Sequence, residues 1–388
     1  MTAADAILVL LWAGLTAYAL FGGADFGAGF WDLLRGGRRT DAIGALIEDT
    51  IGPVWEANHV WLIFALVVVW TAFPPVFAAV ASTLYVPLTA VAIGVILRGS
   101  GFAFRKSVEE PRLKRWFGVL FGLSSIITPF FLGAIAGAIA SGRVPPGNAA
   151  GDPIGSWFNP TSILGGTLAV GICAYLAAVY LTSDARRTGD PALADAFRWR
   201  ALVMGVAVGV VAMLGIVVLA GDAPALYDGL VSRALPLVIL SALAGFVSLV
   251  LLYRRRFGAA RLTAGLAVGS VLWGWAVAQY PNLLVASLTI SKPRPLKRPS
   301  SPCSRACWSA RSSSSRRWSR SSSCPSGLAR EGRSSPRSSI VPDVSLRGGD
   351  PRFERRGEDH GGPHPLDPPL TGRRPSDRPA AREVDRTR

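Results

Sequence analysis

Apolar residues run along this chain in long, nearly uninterrupted blocks, without the two-residue or 3.6-residue alternation of half-buried elements. Eight blocks, lying near 6–29, 57–73, 77–97, 117–140, 162–182, 201–220, 234–253 and 262–281, approach the roughly 20 residues needed to cross about 30 Å of hydrocarbon. The opening residues MTAAD carry no basic region, and the apolar run behind them is too long for the core of a signal peptide, so a retained first span is expected. The pattern predicts an all-α, polytopic membrane protein with about eight transmembrane helices packed in helical bundles.

The loops support this count. Arg35, Arg38 and Arg39 follow the first span, and Arg98, Arg105, Lys106, Arg112, Lys114 and Arg115 end or follow the third. Arg186, Arg187, Arg198 and Arg200 follow the fifth, and Arg254, Arg255, Arg256 and Arg261 the seventh. The intervening loops hold only Arg143 and Arg233, which is 17 basic residues on one side against 2 on the other. Basic loops stay in the cytoplasm, so the N-terminus is predicted to face outside.

Composition divides the chain into two domains. Residues 1–290 form the transmembrane helical domain, with 19 Lys+Arg and 15 Asp+Glu; the remaining 98 residues hold 22 and 10. The basic excess therefore belongs mostly to the segment 291–388, and no nucleic acid is expected as a partner of the body. That segment is Ser/Arg/Pro-rich, as in SRACWSARSSSSRRWSRSSSCPSG, with no apolar run and no period. A disordered tail is the physical expectation. The change at Ser291 is abrupt enough to predict a slipped reading frame: the alternative frame of the underlying DNA should encode a further apolar run of about 20 residues, and its absence there would end the idea.

Histidine and cysteine are scarce in the body, which has only His59 and Cys173 up to Ile290. No metal site or disulfide is predicted from so few donors. Beside His59, only Met204 and Met213 could ligate a haem there, so any redox centre is expected mainly on another chain. Cofactor-binding residues remain unassigned.

Polar residues inside the apolar blocks are the candidate chemistry. Asp25, in FGGADFGAGFW, lies about 20 residues into the first span, where a carboxylate costs on the order of 3 kcal/mol unless it is paired or hydrated. It either marks a helix end at the headgroups or serves as a proton-relay or ion-path carboxylate. At the start of the second span, in GPVWEANHVWL, Pro53 suits a first helical turn and Glu56 and His59 fall at i and i+3 on one face, flanked by Asn58 and Trp61. They suit proton transfer, or else form a helix start with an interfacial tryptophan belt. In RGSGFAFRK, Arg98 and Arg105 are either cytoplasmic anchors or ion-pair partners for Asp25 or Glu56.

Three of these stretches in order, GGADFGAG, PVWEANHVWL and LRGSGFAFR, resemble subunit II of the cytochrome bd-type quinol oxidases, including the cyanide-insensitive branch. The resemblance extends over about residues 1–290 and includes GVLFGLSSIITPFFLGAIAGAIASG and YPNLLVASLTI. It implies a non-haem subunit of a quinol:dioxygen oxidoreductase in the bacterial cytoplasmic (inner) membrane. Its partners would be a haem-bearing subunit I, with haem b and haem d, membrane lipids, and quinol as substrate. It also implies that Asp25 and Glu56 lie on a path carrying cytoplasmic protons toward oxygen, with His59 as a further candidate and Arg98, Asn58 and Trp61 as motif neighbours. The family continues into a ninth span where this chain turns into SKPRPLKRPSS. The rival expectation is a secondary transporter or ion channel using Asp25 and Glu56, which would show inverted repeats with paired broken helices. No internal repeat is legible in the sequence.

Overall fold

The structure, a computed structural model, describes residues 3–35, 40–51, 55–284 and 288–289. Pro53, the side chain of Glu56 and the Ser/Arg/Pro-rich segment 291–388 lie outside the described residues. In chain order the helices are α1 (Ala3–Ala17), a π-helical turn (Tyr18–Gly22), α2 (Gly23–Leu33), α3 (Thr40–Ile51), α4 (Trp55–Ala72), α5 (Pro74–Thr83) and α6 (Tyr85–Ser107). They continue with α7 (Pro111–Ala140), α8 (Pro160–Arg187), α9 (Pro191–Asp222), α10 (Pro224–Val231), α11 (Leu235–Tyr253) and α12 (Phe257–Gln279). The body is thus all-α. A small antiparallel ladder, β1 (Asn282–Leu284) with β2 (Leu288–Thr289), follows the last helix.

Among the described residues, seven helices are long and apolar enough to span a membrane, the first being the continuous run Ala3–Leu33, and the bent pair α4–α5 makes an eighth. The expected count of eight holds, but one boundary moves. The apolar stretch 77–97 is not one helix: α5 bends 116° away from α4, and the third crossing is α6, beginning at Tyr85. Prolines explain both breaks. Pro74 forces Phe73 out of the helical region (φ −129°, ψ 55°), as a residue before proline must be. Pro87 has no N–H to give the carbonyl of Thr83, so the helix interrupts at Leu84 and restarts. Pro129, by contrast, sits inside the continuous helix α7.

The same interruptions recur 150 residues later. Ala223 (φ −139°, ψ 61°) precedes Pro224 as Phe73 precedes Pro74, and Ala234 (φ −97°, ψ 1°) precedes α11 as Leu84 (φ −102°, ψ 28°) precedes α6. At that offset the residue ranges of α3 and α4 together correspond to the single helix α9, that of α5 to α10, and that of α6 to α11. An internal repeat therefore exists where none was legible in the sequence. Its two halves meet where α2 packs on α8. A Cβ on Gly27 would stand 1.8 Å from the Cys173 carbonyl oxygen and 2.7 Å from the Cβ of Ala177, so only glycine admits this approach. Cys173 and Ala177 are themselves the residues 150 positions beyond Gly23 and Gly27. The Trp31 indole N–H donates across the same junction to the Ala174 carbonyl at 2.8 Å.

The two basic residues of the arginine-poor loops also hold this fold together. Arg143 forms a two-pronged pair with Asp222, at 2.9 and 2.6 Å, and the Thr161 hydroxyl donates to the same carboxylate at 2.6 Å. Arg233 donates to the Ala278 carbonyl at 2.8 Å. Bidentate geometry of this kind is the strong form of an ion pair; here it closes the starts and ends of α7, α8 and α9 over one another.

Candidate functional site

The first span stores an irregularity just before its carboxylate. Tyr18–Gly22 form a π-helical turn, a rare feature that often marks functional positions. The Asn58 side-chain amide, from α4, donates to the Phe21 carbonyl in this turn at 3.4 Å. Asn58 thus ties the start of the second span to the irregular segment.

Three residues further on, Asp25 is buried (4% exposed). Arg98 of α6, 1% exposed, reaches it across the bundle. Its Nη2 donates to Asp25 Oδ1 at 2.5 Å and to the Asp25 backbone carbonyl at 3.1 Å, and its Nη1 donates to Ser125 Oγ of α7. The guanidinium lies between the rings of Phe26 and Phe121, 4.7 and 4.5 Å from their centroids. Gly29 makes room for this: a Cβ there would sit 2.1 Å from Ser125 Oγ. Two charges removed from water cost several kcal/mol each, and the site meets that cost with an opposite charge, hydrogen bonds and aromatic faces. Asp25 Oδ2 has no hydrogen-bond partner among the described residues.

One heptad nearer the arginine-rich loops lies a second rung. Arg105 pairs with Asp32 at 2.6 Å and with Glu48 of α3 at 2.7 Å, while Arg35 approaches Asp32 at 3.2 Å. Asp32 is 3% exposed and Arg105 4%. The two rungs, Asp25–Arg98 and Asp32–Arg105, each join residues 73 apart in the chain. They follow from two pairs of residues spaced by seven on two helices, which brings both pairs to one face of each helix.

Of the residues expected from the sequence, Asp25 and Arg98 are brought into direct contact and Asn58 reaches the turn preceding Asp25. His59 is half-buried on α4, and Trp61 is 38% exposed on the outer surface with its ring edge-on to Phe64. The backbone of Glu56 lies in the first turn of α4; its side chain is outside the described residues. Asp32, Glu48 and Ser125 were not anticipated. The seven-residue spacing from Asp25 to Asp32, repeated from Arg98 to Arg105, is the signal that points to the first of them.

Residues 3–294 match the family model of cytochrome bd terminal oxidase subunit II. The chain belongs to this family. Among curated relatives, it is 28% identical over 290 residues to cytochrome bd ubiquinol oxidase subunit 2 of Bacillus subtilis, covering 72% of this chain and 82% of that one. It is 30% identical over 176 residues to cytochrome bd-I ubiquinol oxidase subunit 2 of Escherichia coli K12, covering 43% and 45%. Among solved structures it resembles a chain of the bd oxidase from Geobacillus thermodenitrificans, with a TM-score of 0.62 and 26% identity over 80% of this chain and 93% of that one. The family's curated members are thus subunits of oxidoreductase complexes, and this chain is a multi-span membrane member of that group.

The second half of the repeat holds uncharged residues at the positions of Asp25, Arg98, Glu56, Asn58 and His59. At the offset of 150, Asp25 and Arg98 become Tyr175 and Ser248, whose hydroxyls share a hydrogen bond of 2.7 Å. The positions of Glu56, Asn58 and His59 become Val206, Val208 and Gly209. The same helix arrangement is therefore closed in the second half by a neutral pair.

Proposed function

We propose that this chain is the non-haem subunit II of a quinol:dioxygen oxidoreductase of the cytochrome bd type. It lies in the bacterial cytoplasmic membrane with its N-terminus outside, beside a haem-bearing subunit I and in contact with lipid. It supports assembly of the complex and supplies cytoplasmic protons for the reduction of O2 to water. Haem b and haem d would be held by the partner, where they would supply the electron transfer from quinol to oxygen. The donors that could ligate a haem here are His59 on α4 and Met204 and Met213 on α9, in different halves of the repeat, and none is assigned to this chain.

The observation that carries the proton role is the pair of buried rungs on one helix pair. Asp32 stands nearer the arginine-rich loops and Asp25 one heptad deeper, each carboxylate held by an arginine. Reducing oxygen consumes protons, and a route through hydrocarbon needs titratable groups spaced for relayed transfer. Glu56 and His59 at the start of the second span would feed or share this route. Packing alone does not require charges at these positions, since Tyr175 and Ser248 close the equivalent crossing without them.

A secondary transporter would place broken helices near the membrane midplane. Here the repeated interruptions flank the short helices α5 and α10, each of which leads from one long helix to the next. Four crossings separate equivalent positions, so the halves run in the same direction and are not inverted.

Purification of the complex from native membranes tests the function: haem bands should co-elute with this chain and a larger subunit, together with quinol-driven oxygen uptake. A haem-free preparation that moves ions instead would favour transport. The orientation has its own test. Single cysteines from Arg38→Cys, Arg112→Cys, Arg187→Cys and Arg255→Cys should react with an impermeant reagent only from the cytoplasmic side; outside labelling at any of the four would overturn the topology.

A further inference from the structure

We infer that Tyr18 is the third station of the proton path, receiving protons from Asp25 and passing them deeper into the membrane; this rests on the proton role proposed for Asp25. Register is the first argument. The rungs Asp25–Arg98 and Asp32–Arg105 recede by seven residues along each helix, and Tyr18 stands seven residues before Asp25, at the head of the π-helical turn that separates the two. Val91, seven residues before Arg98, is buried (7% exposed) and offers no polar group, so the ladder of charges stops on α6 at Arg98, and Tyr18 is the next titratable side chain along the first span.

Placement is the second argument. The π-helical turn begins at Tyr18, and the ring packs on Gly22, where a Cβ would be 3.0 Å from the ring carbon Cε2. The ring stands edge-on to Phe26, with centroids 6.3 Å apart. Phe26 carries the Arg98 guanidinium 4.7 Å from its own centroid. Tyr18 and the Arg98 guanidinium therefore both lie against one phenylalanine, and Tyr18 and Phe26 share a buried cluster with Cys173.

The hydroxyl is the third. Tyr18 is 8% exposed, and its oxygen has no hydrogen-bond partner among the described residues. Burying a hydroxyl without a partner costs about 1–3 kcal/mol, a cost that phenylalanine would avoid. The second half of the repeat does avoid it: the residue 150 positions on is Leu168, which lines an apolar cavity of about 360 Å³ together with Gly171, Met204 and Val208. A phenol oxygen can accept a proton on one lone pair as it releases its own. One O–H bond forms as another breaks, and neither charge nor electrons accumulate on the residue.

Tyr18→Phe removes only the oxygen and leaves the ring against Gly22 and Phe26. In the full chain assembled with its haem-bearing partner, haem content should stay unchanged, quinol-driven oxygen uptake per haem should fall roughly tenfold, and the solvent deuterium isotope effect on turnover should rise. Asp25→Asn is measured in parallel. Slow Asp25→Asn beside full-speed Tyr18→Phe would overturn the role of Tyr18 and leave that of Asp25 standing. Full speed in both would overturn the proton role itself. Loss of haem in step with activity in Tyr18→Phe, or slowed turnover with an unchanged isotope effect, would assign Tyr18 to structure and also overturn the inference.

Discussion

Asp25→Asn and Glu56→Gln should each slow quinol-driven oxygen uptake per haem by roughly tenfold or more, with a pH dependence that differs from that of the unaltered complex. Both changes keep shape and hydrogen bonding while removing the group that takes up the proton. In Asp25→Asn, Arg98 keeps Ser125, the backbone carbonyl of residue 25 and the faces of Phe26 and Phe121, so part of the complex still assembles. Rates must therefore be expressed per haem. A proton-path defect lowers turnover in complex that retains its haem, whereas a structural defect lowers the amount of complex. Unchanged turnover per haem in both variants would remove these carboxylates from the path; haem and activity falling together would make them assembly residues.

Arg98→Met should have the largest effect on assembly. It leaves Asp25 buried without its cation, and breaking a buried pair from one side costs about 3–5 kcal/mol, a large share of the marginal stability of a folded domain. The double variant Asp25→Asn with Arg98→Met removes both charges. It should recover much of the lost complex while remaining slow in oxygen uptake, because a neutral crossing is already tolerated at Tyr175 and Ser248. The coupling between the two sites, read from the yield and thermal midpoint of the single and double variants, isolates the pair from its surroundings. Equal and additive losses would show that Arg98 stabilises the bundle through Ser125 and the two rings without reference to Asp25.

Legibility differed from residue to residue. Asp25 stood out because a charge inside an apolar block is conspicuous wherever it finally points, and Arg98 because it opens the motif RGSGFAFRK just past the third block. Asp32 and Glu48 were hidden because they fall close to span ends, where charged residues are ordinary, and Arg105 was legible as an ion-pair candidate while its partners were not. The third crossing was misplaced by several residues because 77–97 is apolar throughout, and only the consequences of Pro74 and Pro87 for backbone geometry divide it into α5 and α6. The repeat escaped notice for a related reason. In hydrocarbon any apolar side chain serves on an outward face, so the two halves could diverge in sequence while their proline-marked breaks stayed in place.

By itself the sequence determined the all-helical membrane class, the number of crossings, the separation of basic from non-basic loops and the family, because each depends on local composition or on short ordered motifs. Only the tertiary structure decided that Arg98 belongs to Asp25, that Arg105 belongs to Asp32 and Glu48, and that the Tyr18 hydroxyl has no hydrogen-bond partner among the described residues. Those pairings join helices far apart in the chain, and they depend on how closely the helices approach. Gly27 against Cys173 and Gly29 beside Ser125 set that approach through the absence of a side chain, and the partners brought together by such gaps can be known only once the helices are packed.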